Sequence, residues 1–266
     1  MKKIILLILA GIAPFIFWSC SDDDTPVNPG TSNYFPMTIG NYWVYEKYGL
    51  DSNNNRISTT LQIDSVYCNA TTQEVINNTT QTVYTYTHHS SALANPDQQF
   101  YVSNDQIYQK YQILPGLDLT SLGFNVQDYI PIDWMLLIDQ KNANWTSFPK
   151  QTINIPSLNI PNISDLSLNL EMIGKSVGTG TFIYQNKTIN TKNYELDWNV
   201  SGTLKSGNFT VAIPAFTLKT VYKLADGIGI VSIITNSQKV SIMGLTSFQF
   251  KGSETSLIRS KILVLE

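Results

Sequence analysis

This sequence predicts an all-β fold, mainly antiparallel, on three observations. Apolar and polar residues alternate with period two in segment after segment, the repeat of a half-buried strand. Gly, Asn and Asp interrupt those segments at intervals of about 8 to 12 residues, as turns do in β sandwiches and barrels. The composition is 42% hydrophobic and 11% aromatic with only 14% charged residues, enough apolar surface for a large core and not a disordered chain. The expected architecture is a single curved sheet, a half-open barrel or a sandwich. A long irregular covering segment around residues 113–165 and at most one short helix complete it.

The segment that comes first decides where the rest works. Residues 1–24 read MKKIILLILAGIAPFIFWSCSDDD. Lys2 and Lys3 give a positive start, Ile4 to Trp18 an apolar run, and Ser19-Cys20 a small residue followed by cysteine, the layout of a secretory signal peptide. A membrane-spanning helix needs about 20 apolar residues, whereas Asp22, Asp23 and Asp24 follow too soon and Pro14 lies inside the run. Residues 1–19 are therefore expected to be removed, leaving 247 of the 266 residues. Residues 20–33, with Pro26, Pro29 and Gly30, read as a flexible tether, and residues 34–266 as one β-rich domain.

Along that domain, Trp43 and Tyr45 share one strand face while Tyr42, Val44 and Tyr48 share the other. Asp51 to Asn55 is a turn, and Leu61, Ile63 and Tyr67 mark the inner face of the next strand. Val83 to His88, Gln98 to Val102 and Gln106 to Gln112 continue as antiparallel hairpins, the last two separated by Asn104-Asp105. Pro115, Pro131, Pro149, Pro156 and Pro161 then disfavour strands paired on both sides, and Asp133 is placed to cap a short helix from Trp134 to Gln140. Regularity returns with Leu166, Leu168, Leu170 and Met172, and again with Phe216, Leu218, Thr220, Tyr222 and Leu224. Turns at 185–187, 206–208 and Asp226-Gly227 separate the late strands.

The position of Cys20 resembles the acylated N-terminal cysteine of bacterial lipoproteins, with Phe17-Trp18 bulkier than usual before it. The run Ser21-Asp22-Asp23-Asp24 is similar to the signal by which one group of Gram-negative bacteria exports lipoproteins to the cell surface. The resemblance implies a membrane partner through a lipid on Cys20, in the outer membrane and at the cell surface, with the periplasmic face as the alternative. Each buried methylene contributes about 0.8 kcal/mol, so two or three acyl chains hold almost permanently. Two further stretches, Phe35 to Tyr45 and Gly227-Ile-Gly229-Ile-Val231, resemble the start and end signatures of uncharacterised β-rich bacterial lipoproteins. Some of those are thought similar to the lipoprotein-carrier fold, a curved sheet around an apolar concavity.

Chemistry is sparse. His88 and His89 are neighbours on a strand and so face opposite sides, which keeps them from sharing one metal. Acid pairs such as Asp133 with Asp139 or Asp118 with Asp128 lack a defined spacing. With Cys20 acylated, Cys68 has no partner for a disulfide or metal site and reads as a small buried hydrophobe. Losing Lys2 and Lys3 takes the net charge from −3 to −5 with no Lys/Arg cluster left, which argues against nucleic acid. Catalytic residues, metal and cofactor are all expected to be absent. Tyr129, Trp134 and Trp145 are the candidate ligand-binding residues, because rigid aromatic surface suits a glycan or an apolar ligand. The function expected is that of a non-enzymatic binding lipoprotein. The alternatives are a lipid or lipoprotein carrier with a concave apolar face and, behind it, a surface hydrolase.

Overall fold

The computed structural model describes residues 32–90, 97–110, 129–130, 133–160, 163–242 and 246–263. The chain separates into residues 1–32 and 33–266, and the fold below is that of the second. Cys20, Asp118, Asp128 and residues 113–128, 131–132 and 161–162 of the segment expected to be irregular lie outside the described residues.

Among the described residues fourteen strands run in the order β1 (Tyr42–Leu50), β2 (Arg56–Ile76), β3 (Thr79–Ser90), β4 (Gln98–Ser103), β5 (Gln106–Lys110), β6 (Trp134–Asp139), β7 (Asn144–Ile160), β8 (Ile163–Tyr184), β9 (Lys187–Ser206), β10 (Phe209–Ala225), β11 (Gly229–Thr235), β12 (Gln238–Ile242), β13 (Thr246–Phe250) and β14 (Gly252–Lys261). Twelve of them form one antiparallel sheet, β6-β5-β4-β3-β2-β1-β14-β11-β10-β9-β8-β7, while β12 pairs with β13. The chain thus starts mid-sheet and meanders outward to β6. It then crosses to the far end at β7, meanders back to β11, and closes with β14 beside β1. The two end strands meet: Trp145 Nε1 and Ser147 Oγ both donate to the Leu136 carbonyl, at 3.2 and 2.7 Å. The sheet is a nearly closed barrel, and no α-helix occurs among the described residues.

Turn chemistry fixes the hairpins. Asn77-Asn78, Asn104-Asp105 and Gln185-Asn186 all have positive φ, the conformation that matches a two-residue connection to the twist of its strands. Period-two patterning then decides what is inside. Leu166, Leu168, Leu170 and Met172 of β8 face Leu204, Val200 and Trp198 of β9 and Leu218 of β10 in one buried core.

Three expectations are corrected. Residues 134–139 are strand β6 rather than a helix: Asp133 Oδ1 accepts from the Trp134 N–H at 2.7 Å, but pairing with β5 and burial of Met135 and Leu137 override the local helical signal. The region around 113–165 is largely regular from residue 134 on. Pro149 and Pro156 are accommodated because β7 is an end strand paired only with β8, and its register breaks around both prolines. Leu61, Ile63 and Tyr67 are exposed, whereas Val66 and Cys68 hold the inner face of β2. The outer apolar residues are used among themselves instead, Tyr67 stacking on Tyr42 at 5.6 Å.

The two signature stretches interlock. Trp43 Nε1 donates to the Ile228 carbonyl at 2.7 Å and Tyr45 Oη to that of Ile230 at 2.9 Å. Gly229 sits at φ +98°, and a Cβ there would lie 3.3 Å from Pro36 Cδ. Asn41, fully buried, donates to the Pro36 carbonyl and accepts from Leu263 N–H. The N-terminal segment is therefore built into the core, with Phe35 packed on Phe100 and Tyr86.

Candidate functional site

The inner face is filled by the protein's own side chains. Trp198, Phe148, Met135, Leu137, Leu168, Leu170, Met172 and Leu218 are essentially inaccessible, and Tyr45 and Tyr222 are buried deeply enough that desolvation drives their phenol pKa values far up. The positions alternating with those core residues along β8–β10 are polar, among them Ser167, Asn169, Glu171, Asn199, Ser201 and Thr217.

The expected aromatic trio does not assemble. Trp145 is in the interior core, its indole edge-on to Tyr194 at 6.1 Å. Trp134 belongs to a separate cluster on the outer face, edge-on to Tyr101 at 4.8 Å, with Tyr101 stacked on Tyr108 at 4.5 Å and Lys110 Nζ above the indole. Burial is the first cause raising the Tyr101 phenol, to about 12. Tyr129 is exposed, and its neighbour Ile130 points into the main core.

The histidines part as strand geometry requires. His88 Nδ1 lies 2.9 Å from Asp64 Oδ2 inside the body, and the ring of His89 meets Tyr67 edge-on outside. Asp139 accepts from the backbone N–H groups of Lys141 and Asn142 and from the Gln106 and Asn142 side chains. Burial pushes its pKa up, but those donors outweigh it and the net shift is downward. It shapes the β6–β7 turn. Among the described residues no three His, Cys, Asp or Glu side chains gather as a metal site.

What period-two patterning alone could not locate is a groove of about 340 Å³ on the outer face of β7–β10. Its residues include Lys150, Asn169, Glu171, Asn199, Ser201 and Thr217, with Phe216 at its side. Glu171 faces Asn199, Asn199 faces Thr217, and Asn169 faces Ser201 across the ladder, so the polar groups form short rows. Thr152 and Thr217 donate to the amide oxygens of Asn169 and Asn199, at 2.7 and 3.0 Å. Each amide is thereby fixed with its NH2 as a donor. Phe216 is stacked on Phe250 at 5.2 Å, and the β9–β10 register breaks between Ile213 and Phe216, which opens the groove. The signal in sequence was the polar half of each alternation, Asn169-x-Glu171 and Asn199-x-Ser201, which reads as ordinary solvated surface.

Next along the same face, Lys175 Nζ lies 2.5 Å from Glu195 Oε1 and 3.0 Å from Asp197 Oδ2, and Lys219 Nζ 2.8 Å from Glu195 Oε1. Burial raises the Glu195 pKa, but the two ammonium groups outweigh it and hold the carboxyl below its ordinary value of 4.5. A carboxyl lowered by folding stabilises above its unfolded pKa, and that contribution is lost as pH falls through the folded value. Replacing Lys175 and Lys219 together by Met is expected to cost about 1 kcal/mol at pH 7, roughly 2–4 °C in Tm. The difference should shrink as pH falls through the lowered pKa of Glu195 and the carboxyl protonates. Thermal melts from pH 7 to pH 3 check this, and a pH-independent gap would refute the ion-pair account.

No protein-family model matches the chain, and no curated protein does. Among solved structures it is similar to a protein from Parabacteroides distasonis provisionally described as a lipoprotein, with 13% identity and a TM-score of 0.44 over 86% of this chain and 99% of that one. It is also similar to a protein from Bacteroides fragilis provisionally described as exported and as having a YmcC-like fold, with 13% identity and a TM-score of 0.42 over 87% and 100%.

Proposed function

We propose that this chain is a lipid-anchored lipoprotein of the outer membrane or cell surface whose β body binds, rather than converts, an extracellular or envelope ligand. Anchoring is supported by Lys2-Lys3, the apolar run and Ser19-Cys20, and the surface location by Asp22 to Asp24. The observation that carries the binding reading is the contrast between the two faces. An interior occupied by Trp198, Leu170 and Met172 leaves a carrier's apolar cargo no room among the described residues, while the outer groove presents amides, hydroxyls, a carboxylate and an ammonium group. That set of fixed donors and acceptors suits a hydroxyl-rich ligand, a glycan, better than an apolar one.

Two measurements test it. Cys20→Ala is expected to release the body into the aqueous fraction; unchanged membrane partition would count against the anchor. For the ligand, the mature chain is titrated with oligosaccharides and surface polysaccharide fractions. Asn199→Leu together with Glu171→Leu is expected to weaken a glycan that binds by about 10-fold or more, because buried partners on the ligand go unpaired. Full-strength binding by that variant would move the site elsewhere.

A further inference from the structure

We propose that the rim of the body around Asn33 rests on the bilayer surface, with Ile39, Ile183 and Leu263 at headgroup level and Lys187 and Lys261 against lipid phosphates. This rests on the anchor reading of Cys20.

The entry point of the chain is fixed: the Asn33 N–H donates to Asp226 Oδ1 at 2.7 Å, and the Gly227 N–H to the Asn33 carbonyl at 2.9 Å. Residues 20–32 separate that point from the cysteine. A chain of that length spans at most about 45 Å, and a random chain of the same length averages about 20 Å end to end. Asn33 thus stays close to the lipid, and the side chains beside it meet the surface repeatedly. At such a distance a contact too weak to hold a free protein is held by effective concentrations in the millimolar range.

The rim has the composition of a membrane-facing surface. Ile39 lies in the turn before Gly40, a Cβ on Gly40 would touch Leu263 Cδ1, and Leu263 N–H is bound to Asn41. Lys261 stands opposite Tyr42. The β8–β9 hairpin is brought to the same place by Tyr184, whose hydroxyl lies 2.9 Å from both Ser260 Oγ and Ser260 N. Ile183, next to Tyr184, therefore projects on the other side of that hairpin. It is 74% exposed, with Ile39 at 51% and Leu263 at 38%. Lys187, Lys261 and Arg259 are exposed around them, and Asp226 at the entry point accepts from the Asn33 N–H. Single exposed aliphatics are ordinary. Three from separate chain segments, ringed by cations and placed where the tether enters, fit a layer of anionic headgroups.

The opposite end of β9 supplies a control. Phe209, at the β9–β10 hairpin, is 76% exposed, as far from Ile183 as β9 is long. Acylated mature chain is reconstituted into vesicles of phosphatidylethanolamine and phosphatidylglycerol containing brominated lipid, with a fluorophore on Ile183→Cys or on Phe209→Cys. Cys68 is buried, its thiol pushed up to about 11 by burial, and stays unlabelled. Quenching about threefold or more stronger at 183 than at 209 is expected, reduced by adding Lys187→Glu with Lys261→Glu or by high salt. Co-flotation with equal or no quenching at the two positions overturns the proposal and leaves the anchor standing. Failure to float overturns the anchor, and this proposal with it.

Discussion

Replacing Trp198 by alanine is expected to lower the unfolding free energy by about 3–5 kcal/mol, close to the most a single core truncation costs. Trp198 lies mid-β9, paired on one side with Met172 and on the other with Leu218, and its ring meets Phe148 of β7 at 5.3 Å. It is the largest of the fully buried side chains, so four strands lose contacts at once. Strands paired on both sides cannot close inward without breaking ladder hydrogen bonds, so most of the vacated volume stays a cavity. Urea unfolding followed by circular dichroism should show a lower midpoint with an unchanged slope. Trp198→Phe should keep part of the stability. A loss under about 1 kcal/mol for the alanine variant would mean that the barrel interior is not close-packed there, and the argument against a carrier would fall with it.

How much of this was legible in the sequence depends on where two signals agreed. In β8 and β10 the alternation is strict, and Leu166 to Met172 and Phe216 to Leu224 face the core as read. In β2 both faces carry apolar residues, so Leu61, Ile63 and Tyr67 competed with Val66 and Cys68. Only the neighbouring β1 and β3 decide which set is buried. Residues 134–139 contain no alternation that excludes a helix, and pairing with β5 settled the matter from outside the segment. The prolines of β7 are harmless for a reason no local reading contains, namely that β7 ends the sheet. The groove was least legible of all. It arises from register, through rows such as Glu171, Asn199 and Thr217 from three strands, and from a break beside Phe216. Trp145, expected among the ligand-binding aromatics, matters instead through what lies beneath it.

That relation gives the second large effect, at the seam where the barrel closes. Gly174 of β8 stands opposite Trp145 of β7, and a Cβ on it would lie 2.0 Å from Cε2 and 2.3 Å from Cζ2 and Nε1 of the indole. The ring has little room to retreat, since Tyr194 packs against it and its own Nε1–H is bonded to the Leu136 carbonyl on β6. Gly174→Ala must therefore push the indole off the seam, losing both the packing and the cross-seam hydrogen bond, and is expected to cost about 3 kcal/mol. Trp145→Leu alone should cost less than the roughly 3–5 kcal/mol of a full truncation, because a smaller side chain still covers the glycine. Combined with Gly174→Ala it should recover about 1–2 kcal/mol relative to additivity, since the two replacements relieve one clash. Strictly additive losses in urea unfolding would show that the glycine serves some other need. A Gly174→Ala chain as stable as the parent would show that β6 and β7 are not held together through this indole.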